Sequence, residues 1–151
     1  MTLTQKETTF LSDLKSQEQL CIDKYSRYQD DACDGALKNL FAEIKATEEG
    51  HLNTVNRILS GEEVTMASTP TANSESKSFT PSSCPQDEKD KDAFLCKDAL
   101  AMEKHVSSVY DTCVFEFASP ALRDTLSHIQ KEEQNHGEQL YNYLSCNNMY
   151  C

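Results

Sequence analysis

The sequence has no tryptophan and, in 151 residues, only four glycines and four prolines, while about a quarter of it is charged. That balance suits a soluble helical protein with one sizeable core. Basic residues are also scarce, 14 against 25 acidic ones. The formal charge of −11 argues against nucleic acid or an anionic membrane surface as a partner. No apolar run approaches the roughly 20 residues of a membrane span. The opening Met1-Thr2-Leu3-Thr4-Gln5-Lys6-Glu7 lacks the apolar core of a secretory signal. Seven cysteines are present without one Cys-x-x-Cys pair, which excludes the usual zinc-ribbon and thioredoxin motifs. Their odd number points to free thiols in a reducing cytoplasm. In an oxidising setting Cys146 and Cys151 would be the first to pair.

What the chain does have is a set of apolar ladders, each interrupted at one rung. Leu122, Leu126, Ile129, Glu133, His136, Leu140 and Tyr143 step by fours and threes, the rhythm of a helix face turned to a core. Glu133 and His136 occupy two rungs where apolar residues are expected, and residues three apart share a helix face. Leu37, Phe41, Ile44, Glu48, His51, Val55 and Ile58 repeat the pattern with Glu48 and His51 as the interruption. Two further stripes each carry one acid: Glu18 within Phe10, Leu14, Cys21, Tyr25 and Tyr28, and Glu103 within Cys96, Ala99, Val106, Tyr110, Cys113 and Phe117.

The punctuation predicts four helices. Thr4 and Glu7 form a Thr-x-x-Glu capping box for the first. Asp34, after an acidic turn, caps the second, which stops at Ser60-Gly61. Pro85 stands at the first position of the third, with Asp87 and Glu88 in its favourable first turn. Ser119-Pro120 opens the fourth, which fades near Ser145. Residues 61–84 are rich in Ser, Thr, Asn and Pro and carry no helical period. About 24 residues at roughly 3.3 Å each are long enough for a crossover running the length of a bundle. The expectation is a single all-α domain over 1–151: hairpin one 4–60, crossover loop 61–84, hairpin two 85–145 and a short tail 146–151.

The halves are duplicated. One shift of 85 residues carries Glu18 to Glu103, Glu48 to Glu133 and His51 to His136. Without a gap it also carries Asp13 to Asp98, Tyr25 to Tyr110, Ile44 to Ile129 and Leu59 to Leu144. Each half is then a hairpin with one Glu on its first helix and a Glu-x-x-His on its second. Burying four unpaired carboxylates, at several kcal/mol each, would rival the ~5–15 kcal/mol stability of a whole domain. Two divalent metals resolve this, with Glu18, Glu48, His51, Glu103, Glu133 and His136 as ligands; the alternative is protonated or wetted carboxylates around an empty site. Oxygen-rich ligation without thiolate suits iron first and manganese next, and zinc competes for such sites. Tyr25 and Tyr110 read as core residues, with hydrogen-bond donation to the ligands or electron relay as the alternative. Cys21, Cys96 and Cys113 read as small core residues. His105 and His128 fall off the stripes and read as solvated, and Glu49 and Glu132 point away from the ligand face.

The pattern Glu, Glu-x-x-His, long connection, Glu, Glu-x-x-His resembles the ferritin-like superfamily over nearly the whole chain. Its second half is similar to the spore coat protein F family, through Ala101-Met102-Glu103-Lys104-His105-Val106, Ser119-Pro120-Ala121-Leu122-Arg123 and Gln130-Lys131-Glu132-Glu133-Gln134-Asn135-His136. Residues 1–60 are closer to general rubrerythrin-like chains. The resemblance implies a ferritin-like four-helix bundle from a spore-forming bacterium, located in the cytoplasm or the spore coat. It also implies a dinuclear iron or manganese centre reducing peroxide or oxygen in oxidative stress defence. A rubrerythrin carries a rubredoxin-type site of paired Cys-x-x-Cys, absent here, so peroxide reduction would need a separate electron donor. Cage-forming ferritins have a fifth helix, for which residues after Ser145 leave no room. Whether the chain is an enzyme stays open. The other reading is a structural or assembly component of the spore coat, its metal merely stabilising, with Cys146, Cys151, Tyr141, Tyr143 and Tyr150 available for cross-linking. Partners would be peroxide or oxygen in the first case and other coat proteins in the second, with a homodimer a further candidate.

Overall fold

The computed structural model describes residues 1–65 and 76–150. Four helices follow in order: α1 Gln5–Asp31, α2 Gly35–Leu59, α3 Gln86–Glu116 and α4 Pro120–Cys146. The described residues contain no strand, and none of their helices is long and apolar enough to cross a membrane. The helix starts follow from local chemistry. Thr4 and Glu7 form the reciprocal capping box of α1, the Asp34 carboxylate accepts from the Ala36 N–H at the start of α2, and Ser119 caps α4 ahead of Pro120. Pro85 differs from expectation by one position. Its ψ of 154° is extended, so it is the N-cap of α3 rather than the first helical residue. Having no side-chain acceptor, it leaves that end to Asp87 and Glu88. Helix α2 ends at Ser60, and Gly61 takes the positive φ of 90° that a glycine tolerates.

Helix α1 packs along α2 and α3 along α4, and the hairpins meet where α1 faces α3 and α2 faces α4. Two buried acids set the direction. Glu7, near the start of α1, accepts the Ala118 N–H just beyond α3 at 3.0 Å. Asp92, near the start of α3, accepts the Cys33 and Asp34 N–H groups just beyond α1 at 2.8 and 2.9 Å. Helices α1 and α3 are therefore antiparallel. The 85-residue shift relates these contacts too, carrying Glu7 to Asp92 and Cys33 to Ala118, as it carries cap Asp34 to cap Ser119. Each acid satisfies turn amides of the other hairpin that would otherwise lack partners.

The core runs the length of the bundle and includes Leu11, Leu14, Leu37, Phe41, Leu122, Leu126 and Leu140, each worth about 1.5–3 kcal/mol on full burial. On α1 the buried stripe begins with Leu11, and Phe10 is only partly covered. Tyr25, Tyr28 and Phe41 pack ring against ring at 5.5–6.1 Å between centroids. The described parts of the α2–α3 connection lie at opposite ends of α4. Thr125, in its first turns, donates to the Val64 carbonyl. Phe79 packs edge-on against Tyr143, and the Ser82 N–H donates to Asn147 Oδ1 at 2.7 Å near the other end. Of the expected crossover over 61–84, residues 66–75 lie outside the described residues. Cys151 also lies outside them, while Cys146 Sγ donates to the Phe79 carbonyl.

Candidate metal centre

All four helices send acidic or imidazole side chains to one point of the core. Glu18 comes from α1, Glu48 and His51 from α2, Glu103 from α3, and Glu133 and His136 from α4. All six are at least 95 % buried. They fall into two overlapping quartets, Glu18-Glu48-His51-Glu133 and Glu48-Glu103-Glu133-His136, and in each the ligand atoms lie within 4.8 Å of one another. Glu48 and Glu133, on facing helices α2 and α4, belong to both. Every residue singled out by the interrupted ladders is thus in the cluster.

Both histidines turn Nδ1 inward. His51 Nδ1 is 3.0 Å from Glu48 Oε2, 3.1 Å from Glu133 Oε1 and 3.8 Å from Glu18 Oε1. His136 Nδ1 lies 3.3 Å from Glu48 Oε1, 3.4 Å from Glu103 Oε1 and 4.0 Å from Glu133 Oε2. The two rings are 6.1 Å apart. Tyr25 and Tyr110 are more than core residues, since each phenol donates across the hairpin boundary at 2.5 Å, Tyr25 to Glu103 Oε1 and Tyr110 to Glu18 Oε1. The crossing follows from the antiparallel run of α1 and α3: a tyrosine two turns beyond its own acid stands level with the acid of the other helix. A phenol this buried needs an acceptor, and the carboxylate supplies one.

The electrostatics are those of charges forced together out of water. Burial, then the neighbouring Glu48 carboxylate, pushes Glu18 well above the usual carboxylate range, and burial with Glu103 and Glu48 does the same to Glu133. Burial also works against ionised Glu48, but the His136 and His51 imidazoles beside it outweigh that and hold it well below. For the histidines burial alone would favour the neutral form. The Glu132 and Glu48 carboxylates instead raise His51, and Glu103 with Glu48 brings His136 up to about 9. Protons alone leave the cluster poorly satisfied. Glu18 Oε2, Glu48 Oε1, Glu103 Oε2, Glu133 Oε2 and His136 Nδ1 are buried with no hydrogen-bond partner among the described residues. An unsatisfied buried polar atom costs about 1–3 kcal/mol. Five such oxygen and imidazole atoms in one buried cluster are a donor set that fits divalent cations.

Two expectations need correction. Glu132 does not point away: it is buried, and its Oε2 meets His51 Nε2 at 2.6 Å. His128 is not solvated: its Nε2 lies within ion-pair distance of Glu132 Oε1, at 3.0 Å, though not aligned for a hydrogen bond. Both flank the ligand stripe of α4, close enough to its edge for α2 to cover them. The duplication gave no hint, because the shift carries Glu132 to Thr47. The available signal was the spacing of His128 and Glu132, four apart on one helix face. His105 and Glu49 are exposed, as expected. Cys21, Cys96 and Cys113 are buried, and burial pushes their thiols up, to about 12 for Cys96 and about 11 for Cys113, which disfavours thiolate ligands.

The Coat F domain family model matches residues 91–150. The match takes in most of α3 and all of α4, with Glu103, Glu132, Glu133 and His136 inside it, and spans less than half of the chain. No curated protein matches the chain, and no solved structure matches it.

Proposed function

We propose that the protein is a spore coat component of the Coat F type, built as a ferritin-like bundle closed around a dinuclear metal centre. The Coat F match over α3 and α4 carries the coat reading. The bundle order supports the ferritin-like arrangement. With α1 antiparallel to α3, helices α2 and α3 run the same way, and the connection is held at both ends of α4 by Val64 and Phe79. Those end points are the ones a long crossover would need.

The five unpartnered ligand atoms support the metal. Glu18 and His51 would hold one ion, Glu103 and His136 the other, and Glu48 and Glu133 would bridge. When bound, two divalent ions neutralise four carboxylates, and iron or manganese can also supply electrons to an O–O bond. Tyr25 and Tyr110 orient the terminal carboxylates. Binding free energy at such a centre is folding free energy, so the metal's first role is to lock four helices together. One observation favours a second reading, peroxide or oxygen reduction: a cavity of about 410 Å³ is lined by Glu103 and Glu133. That reaction would draw on an external electron donor.

Elemental analysis of anaerobically purified protein tests the centre. Near two equivalents of iron or manganese are expected, with a marked fall in thermal stability on chelation. A metal-free protein of unchanged stability, unable to take up ferrous ion, overturns it. Immunodetection in coat extracts of the source spores tests the coat role. Peroxide consumption by the two-metal protein with an added reductant separates the catalytic reading from the structural one.

A further inference from the structure

The two halves of the ligand set share one sequence pattern but are not supported alike. The outward nitrogen of His51 is held by Glu132 at 2.6 Å, and Glu132 is flanked in turn by His128 at 3.0 Å. The 85-residue shift carries Glu132 to Thr47 and His128 to Glu43, and there the support is missing. Thr47 Oγ1 donates to the Glu43 backbone carbonyl, and the Glu43 carboxylate is exposed and pairs with Lys77. The ion pairs of His136 among the described residues all run inward through Nδ1.

The surroundings differ at the next residue along. Leu52 follows His51, whereas Gly137 follows His136. With no side chain at 137, the cavity between α3 and α4 reaches Glu103 and Glu133 past Leu100 and Tyr141. A second cavity of about 340 Å³, between α1 and α3, touches none of the six ligands. A Cβ at 137 would meet nothing closer than Leu100 Cδ1 at 3.6 Å, so packing does not demand glycine there.

We propose that the two metal positions are unequal. The position of Glu18 and His51 is tight, with Glu132 as the positioning residue that fixes the His51 ring. The position of Glu103 and His136 is weaker and open, and takes a small external ligand through the Gly137 cavity. A carboxylate behind a ligating imidazole is typically worth 10–100-fold in metal affinity.

The inference rests on the dinuclear reading, and the experiment separates the two. Metal-free protein is titrated with cobalt(II), followed by calorimetry and visible absorption, with azide as the external ligand. Two steps are expected, separated by about 10–100-fold in affinity. Glu132→Gln weakens the first step by that factor and leaves the second. Thr47→Glu, which puts a carboxylate at the position that the 85-residue shift relates to Glu132, strengthens the second. Azide shifts the spectrum of the two-cobalt protein and not of the one-cobalt protein, and Gly137→Leu abolishes that shift while both cobalt ions still bind. Two equal steps insensitive to Glu132→Gln, or azide binding to the one-cobalt protein, overturn the inequality and leave the dinuclear reading standing. Failure of the unsubstituted protein to bind any cobalt overturns both. Gly137→Leu lies in another helix turn from Glu132 and keeps the test open should Glu132→Gln not fold.

Discussion

The α1–α2 hairpin and the α3–α4 hairpin carry the same acid, acid and imidazole residues at the same rungs, cap their second helices at matched positions, and close each other's turns through Glu7 and Asp92. They differ in what surrounds those shared features: Glu132 against Thr47 behind the imidazoles, and Gly137 against Leu52 beside them. Shared positions are those the bundle cannot do without, since each discharges a buried charge or an unpaired amide. Differing positions are one layer out, where a change adjusts affinity or access without unfolding the chain.

Glu48 gives the largest expected break in this symmetry. Although Glu48 and Glu133 are related by the duplication and belong to both quartets, only Glu48 is held ionised, between the two imidazoles, while burial and neighbouring acids push Glu133 the other way. Either Glu48→Ala or Glu133→Ala should abolish binding of both metals, whereas Glu18→Ala should lose one. In the metal-free protein the pair should part. Glu48→Gln removes the carboxylate that lies within 3.3 Å of both imidazoles, nearer to His136 than Glu133 at 4.0 Å, and should cost about 3–5 kcal/mol, the usual penalty for breaking a buried ion pair. Glu133→Gln should cost well under half of that. Urea denaturation of the two variants in the presence of a chelator measures the difference, and equal losses would mean that the charge is not concentrated on Glu48.

The crosswise phenols should behave alike. Tyr25→Phe and Tyr110→Phe each leave one carboxylate oxygen without its donor, and each should destabilise metal-free protein by about 1–2 kcal/mol. A twofold or larger disparity would show that the hairpins differ at this level as well. The double variant should depart from additivity, because the two carboxylates belong to one buried cluster through Glu48 and Glu133.

The stripe-breaking residues made the four helices and the buried acid and imidazole cluster readable in the sequence. A Glu-x-x-His interrupting an apolar ladder marks burial directly, and the repeat at one fixed shift marks convergence. The crosswise hydrogen bonds of Tyr25 and Tyr110 were not readable, because they depend on the antiparallel setting of α1 against α3 rather than on either helix alone. Glu132 was missed for a related reason. One residue off a stripe is solvent on an isolated helix and buried once α2 lies against that edge. Pro85 was placed one residue too far in, since proline's fixed φ fits both the cap and the first turn and only ψ separates them.

The smallest predicted effect concerns the two turn-closing acids, and pH reads it. Glu7 accepts from the Thr4 N–H and hydroxyl and from the Ala118 N–H, and these bonds, Thr4's first and Ala118's next, lower its pKa below 4.5. A carboxylate lowered in the folded state adds stability that is fully present above its unfolded value and is lost as the pH falls through its folded one. Glu7→Gln should therefore cost about 0.5–2 kcal/mol at pH 7, the range of a lost helix cap. The gap to the parent should shrink steadily below pH 4.5 as Glu7 itself takes up a proton. Comparing variant with parent at each pH cancels the titration of other carboxylates far from Ala118. A gap that stayed constant down to pH 3 would show that Glu7 closes the α3–α4 turn through shape and hydrogen-bond geometry alone, with its charge contributing nothing.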